Sequence, residues 1–156
     1  MSFVALFARQ NLIRAAATIG TCILKKVLIY CDEGVSLEGL RQTALTFGEV
    51  EHVSAKDLIH KNWERDAAAL IIPGGADIPY MKRLRGQGNL KIRVYVENGG
   101  VYIGICAGAY YAGERVEFAL NTSQEVNQER ELQFFPGIVR GPILAPFDPA
   151  SLRDLL

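Results

Sequence analysis

Residues 104–108 read "GICAG": Cys106 has a glycine two positions to either side, and the apolar run 101–103 stands directly before it. A residue flanked in this way, between a strand and a helix, sits in a tight turn that presents its side chain at the carboxyl end of a sheet. The following helix adds free backbone N–H groups and the positive end of its dipole, both of which favour thiolate over thiol. Cys106 in that setting is a candidate nucleophile toward acyl, amide or carbonyl carbon. The competing reading is a small apolar core residue, as most free cysteines are; the glycine-flanked turn favours the nucleophile.

A second glycine turn, "PGGAD" at 73–77, closes the apolar run "AAALII". In an open α/β sheet ligands bind outside the carboxyl ends of the strands, so this loop and Cys106 should face one crevice. The N–H groups of Gly75 and Ala107 are then candidates for an oxyanion hole, which needs preorganised donors aimed at one point. Gly74, Ala76 and Gly108 complete the ligand-binding set, with an ordinary turn pair as the alternative. "YCDEGVS" at 30–36 ends another strand and carries Cys31, Asp32 and Glu33 to the same edge. A carboxyl from Asp32 or Glu33 beside the thiol would act as a proton partner or tune its oxidation, without being a strong base; a solvated acid ahead of a helix is the alternative.

The elements that must position these groups follow from periodicity. From Lys26 onward short apolar runs alternate with helical patterns, the signature of βαβ units and a mostly parallel sheet covered on both faces. "KVLIY" (26–30) reads as a buried strand. "SLEGLRQTALTFG" reads as a helix with Leu37, Leu40, Ala44 and Phe47 at helical spacing, Ser36 as N-cap and Gly48 as stop. Strands are expected at 50–54 and 68–72, with a short helix or loop over "KDLIHKNWE" between them. Residues 89–97, "NLKIRVYVE", alternate as a strand would, yet a parallel neighbour to "VYIGI" needs a crossover before it and Gly99-Gly100 reads as a helix stop. That argument favours helix. The tail after "RVEFAL" is a polar run followed by Pro- and Gly-rich sequence without an assignable period.

At 156 residues the chain is one domain's length. Its 17 Lys and Arg balance 17 Asp and Glu, so no global field steers it to nucleic acid. The first 31 residues hold Arg9, Arg14, Lys25 and Lys26 and no acid, leaving 13 basic against 17 acidic residues in the rest. Residues 1–25 therefore read as an N-terminal extension, either a targeting segment or a leading helix on the domain of residues 26–156. A cytoplasmic location is expected, with an exported or organellar one if that segment is a signal. Cys22, Cys31 and Cys106 are an odd set without CxxC spacing, which suggests a reducing compartment and no structural metal.

Taken together "VLIYCDEGVS", "LIIPGGADIPY", "GGVYIGICAGAYYA", "VEF" and "FFPGIVRGPILAPFD" resemble the biotin-protein ligase N-terminal domain family. That family is similar to the class I glutamine amidotransferases and, more distantly, to the ThiJ/PfpI group. The resemblance spans about residues 26–149. It implies a flavodoxin-like sandwich, Cys106 on a nucleophile elbow, an oxyanion donor from the Gly74-Gly75 loop and a helix over 89–97. It also sets Glu33 near where the ThiJ/PfpI group keeps a glutamate against its cysteine.

The pattern departs from the amidotransferases in one respect that bears on chemistry. Their Cys-His-Glu triad draws its histidine from beyond the cysteine, whereas His52 and His60 are the histidines here and both precede Cys106. Proton transfer by such a base is worth about 10²–10⁴-fold, so ordinary glutaminase activity is not expected. The chain also stops soon after "GPILAPFD", where the family continues, so an apparent truncation is expected, with a homodimer or a partner chain completing the sheet. The reading is a domain that binds, or acts weakly on, a small acyl or amide ligand without cofactor or metal. The alternatives are a non-catalytic regulatory or interaction domain and a cysteine-based redox or carbonyl-adduct protein.

Overall fold

The computed structural model describes residues 4–7 and 25–143. In chain order the elements are β1 (Val4–Phe7), β2 (Lys26–Tyr30), α1 (Leu37–Phe47), β3 (Val50–Val53), α2 (Ala55–His60), β4 (Ala67–Ile72), α3 (Asp77–Leu84) and α4 (Gln87–Glu97). They continue with β5 (Val101–Ile105), α5 (Ala107–Tyr111), β6 (Gly113–Phe118), β7 (Val126–Glu129) and β8 (Phe135–Gly141). Strands β5, β4, β2 and β3 lie side by side in that order and run parallel. This is the flavodoxin-like α/β fold expected from the sequence.

The local signals act as their chemistry requires. Leu70, Ile71 and Ile72 of β4 are wholly buried, because a central parallel strand is covered on both faces. Ser36 Oγ accepts from the Gly39 N–H at 3.2 Å to start α1, and Gly48, with φ 75°, ends it. The segment left between helix and loop is the one-and-a-half-turn α2. It opens on a reciprocal cap: Ser54 Oγ accepts from the Asp57 N–H at 3.2 Å while Asp57 accepts from the Ser54 N–H at 2.9 Å. In α4 the buried side chains Ile92, Tyr95 and Val96 make a helical face, whereas Leu90 and Val94, members of the strand-like alternation, are exposed. Helix α3, which no sequence pattern had marked, buries Tyr80 and Leu84.

Two features add to the expected architecture. Strand β1, inside the segment read as an extension, pairs antiparallel with β5, Val4 opposite Ile105 and Phe7 opposite Tyr102. Residues 8–24 of that extension, and 144–156, where truncation was expected, lie outside the described residues. The second feature is a separate sheet in the order β7-β6-β8, with β6 antiparallel to β7 and parallel to β8.

The β7–β8 connection ties that second sheet to the first domain layer. Arg130 and Leu132 are buried, and the Phe134 ring meets Tyr102 with centroids 5.2 Å apart. Glu131 accepts from the Gly86 N–H and from the Asn89 amide, each at 2.8 Å, and Asn89 in turn accepts from the Tyr111 hydroxyl. One short segment therefore touches the α3–α4 junction, α4 and α5. Among the described residues no helix is long and apolar enough to cross a membrane.

Removing the α2 cap isolates one of these local terms. Ser54→Ala is expected to cost about 1 kcal/mol of unfolding free energy, read as a lower urea midpoint at unchanged slope.

Candidate functional site

Register brings the working loops together. Ile29 lies opposite Ile71 across β2 and β4, and Ile72 lies opposite Gly104 across β4 and β5. The three strands thus end at nearly one level, and the chain leaves them at Cys31, Pro73 and Cys106. Strands β2 and β4 are neighbours whose onward connections run in opposite directions, to β3 and to β5. In open α/β sheets such a switch between neighbouring strands, at the carboxyl edge, is where ligands bind.

Cys106 occupies the tight turn between β5 and α5, with φ 51° and ψ −109°. This left-handed backbone is costly for a residue with a Cβ, on the order of 1–3 kcal/mol. The surrounding packing holds it there. A Cβ on Gly108 would stand 2.0 Å from the Ile72 carbonyl oxygen, and one on Gly104 2.5 Å from the Gly108 carbonyl oxygen. The two glycines of "GICAG" therefore let the first turn of α5 rest directly on the ends of β4 and β5. The Ala109 and Tyr110 N–H groups donate to the Cys106 carbonyl at 2.9 and 3.1 Å, and the side chain is exposed.

The "PGGAD" loop is held from both sides. Ser36 N–H donates to the Gly74 carbonyl at 2.9 Å and Ala76 N–H to the Gly34 carbonyl at 2.8 Å, an antiparallel bridge between Val35 and Gly75. The Tyr80 hydroxyl reaches the Gly74 and Pro73 carbonyls at 3.1 and 3.2 Å. Gly75 has φ 147°, and a Cβ there would fall 2.0 Å from the Gly34 oxygen. A Cβ at Gly74 would be 3.5 Å from that of Cys106, in ordinary contact, so the loop and the thiol do share one edge. The Ala76 N–H is already committed to Gly34, and Gly108 is buried beneath the turn. The Gly75 N–H takes no part in the bridge, and the Ala107 N–H is directed at the Cys106 thiol.

The acids of "YCDEGVS" take partners other than Cys106. Asp32 accepts from the Glu33 N–H at 2.7 Å, from the Ala55 N–H at 3.0 Å and from Arg83 at 3.3 Å. Burial would raise its pKa, but these donors together hold it below the usual carboxylate range. Glu33 is exposed and pairs with Arg83 at 3.4 Å. His52 and His60 are both exposed, on β3 and at the end of α2.

Burial of its surroundings pushes the Cys106 thiol up in pKa, and the charge of Asp77 adds to the rise, while the Ala107 N–H opposes it. The direction is opposite to that expected from a helix N-terminus. Helix α5 has only five residues, so its dipole is small, and the surroundings that leave the side chain accessible still desolvate the thiol in part. The Cys31 thiol is likewise raised, by burial and by Asp32. Tyr80 and Tyr110, both raised chiefly by burial, feel the charge of Cys106 and so flank it.

The residues that pattern reading missed are Asp77 and Arg130. Asp77 opens α3 directly after the glycine loop and is buried against Arg130, whose Nε and Nη2 donate to its Oδ2 at 2.9 and 2.6 Å. The Asp at a helix start was a readable signal; nothing in "NTSQEVNQER" marked one arginine as interior. Among the described residues no three His, Cys, Asp or Glu side chains are grouped to hold a metal ion.

Comparison with known proteins points the same way as the motifs. A family model described as "Biotin-protein ligase, N terminal" matches residues 25–153. An uncharacterized protein of Chlamydia muridarum is 41% identical over 128 residues, covering 76% of this chain and 49% of that protein. The biotin–protein ligase of Schizosaccharomyces pombe is 33% identical over 129 residues, covering 78% of this chain and 20% of that enzyme. The chain thus spans half or less of the length of the curated relatives it matches.

Two substitutions test the geometry. Gly108→Ala drives a methyl group into the Ile72 carbonyl and is expected to lower stability by about 2–3 kcal/mol, measured by urea unfolding. For Asp32, whose native pKa is depressed, the stabilisation is present above the unfolded value of about 3.9 and is lost as pH falls through the native value. Asp32→Asn should therefore lower the thermal midpoint at pH 7, with the gap to the parent closing in strong acid.

Proposed function

This chain belongs to the biotin-protein ligase N-terminal family, and on that premise we propose that it binds, or acts slowly on, a small acyl or amide ligand through Cys106. The turn is then an amidotransferase-like nucleophile elbow. The observation that carries the reading is the exposed Cys106 held at φ 51° by glycine-mediated backbone contact and set beside Gly74 at the same edge of the sheet. Strain of that kind persists where the surrounding structure over-determines it, and it gathers at functional sites.

In the chemical step the Cys106 thiol gives its proton to water and the thiolate sulfur adds to the ligand's carbonyl carbon. The carbonyl oxygen takes up negative charge toward the Gly75 and Ala107 N–H groups. Collapse of the adduct breaks the bond to the amine or alcohol, which leaves with a proton from water, and the acyl group stays on sulfur. With a raised thiol pKa and both histidines exposed elsewhere, the thiolate fraction at neutral pH is small and the step is slow. Glu33, engaged with Arg83, is a group that an incoming ligand would have to draw away before it served the thiol.

The raised thiol pKa also favours a second reading, in which the crevice binds its ligand reversibly and the domain regulates a larger protein. The two separate under p-nitrophenyl acetate and chloroacetamide with peptide mapping by mass spectrometry. Acylation by the ester at Cys106 at least about tenfold faster than at Cys31, lost in Cys106→Ser, is expected for the covalent reading. Equal labelling of Cys31 and Cys106 would overturn it in favour of the reversible one.

A further inference from the structure

We infer that Asp77 is a positioning residue for the Cys106 site, clamped by Arg130 of the β7–β8 connection, and that this clamp keeps the Gly74-Gly75 loop and the paired Asp77 carboxylate beside the turn. The inference deepens the reading of Cys106 as the working thiol and rests on it. It concerns what governs the thiol, not which ligand it takes.

Arg130 is the largest fully buried side chain among the described residues, at 1% exposure. A buried guanidinium is costly unless its donors are met. Here Nε and Nη2 both go to Asp77 Oδ2, and Nη1 goes to the Gln128 and Glu129 carbonyls at 3.2 and 2.9 Å. Asp77 is two residues beyond Gly75 and begins α3, which packs on α5. One turn later Tyr80 anchors the Gly74 and Pro73 carbonyls. Arg130 therefore fixes the start of the helix whose next turn fixes the loop, and the loop abuts the Cys106 turn.

The charge matters as well as the geometry. The groups facing Cys106 are Asp77 and Tyr80 from α3 and Tyr110 from its own helix, and both tyrosines stay neutral at physiological pH. Burial raises the Asp77 pKa and Arg130 opposes the rise, so the carboxylate stands near the turn as one half of an ion pair. Nothing in the mechanism proposed for the acyl ligand uses it as a base, because its Oδ2 is occupied by Arg130.

Site-resolved alkylation with iodoacetamide across pH tests this on the full chain, with Cys31 as internal control. Asp77→Asn keeps shape and hydrogen bonding and removes the charge. The Cys106 profile should move to lower pH, with a rate at pH 7 about three- to tenfold higher, while Cys31 is unchanged. Should Arg130 without a counter-charge unfold that variant, Asp77→Asn with Arg130→Met removes both charges together, a replacement that buried pairs tolerate. It should shift the profile in the same direction but by less, because the Arg130 charge leaves with that of Asp77. A folded variant whose Cys106 profile stays in place overturns the inference, as does equal acceleration at Cys31 and Cys106, which signals loosening alone. Because iodoacetamide reads the thiol directly, a failure here is distinct from a failure of Cys106 to take an acyl group from the ester.

Discussion

At the carboxyl edge of the main sheet two stretches of backbone touch with no side chain between them. The Ile72 carbonyl lies against Gly108 so closely that a single methyl group has no place. Once α5 is seated this far down on β4, the residue joining β5 to α5 has no room for an ordinary turn and takes positive φ. The outward thiol, its contact with Gly74 and the shared crevice all follow from that one approach. The accessible thiol is nonetheless partly desolvated by its surroundings, and this holds back its ionisation.

The second sheet bears on this arrangement from its flank. Phe118 of β6 meets the Tyr110 ring beside the thiol, and the connection between β7 and β8 places an arginine and a glutamate into the layer of α3, α4 and α5. A buried ion pair is weak evidence for stability, since desolvation offsets much of its attraction. Its effect is orientation: a fork of donors on one carboxylate oxygen admits a narrow range of poses for the helix that carries it.

Much of the framework was legible because local chemistry and long-range packing agreed. Ser36 and Gly48 bound α1 as capping rules require, and the apolar run of β4 could only be a strand covered on both faces. Residues 89–97 could be read against their own alternation, since the chain has to cross over to reach β5 in parallel, and burial of Ile92, Tyr95 and Val96 bears this out. The thiol's ionisation was not legible, because a sequence displays the helix that follows a cysteine but not the layers around it. Arg130 was invisible for a related reason: charge in a polar run reads as solvated, and only a distant carboxylate makes the interior habitable for it. Strands β6, β7 and β8 escaped because their partners are each other, and short polar strands such as "VNQE" have little periodicity of their own.

The distance along the chain between Asp77 and its arginine has a consequence in time. The two are 53 residues apart, so a ribosome adding about 5–20 residues per second exposes the carboxylate several seconds before its counter-charge exists. During that interval α3 has every reason to keep Asp77 in water, and the loop before it is free of the restraint that Arg130 later imposes. The crevice is thus finished late, by a residue of the last third of the chain, although the strands that frame it are made first.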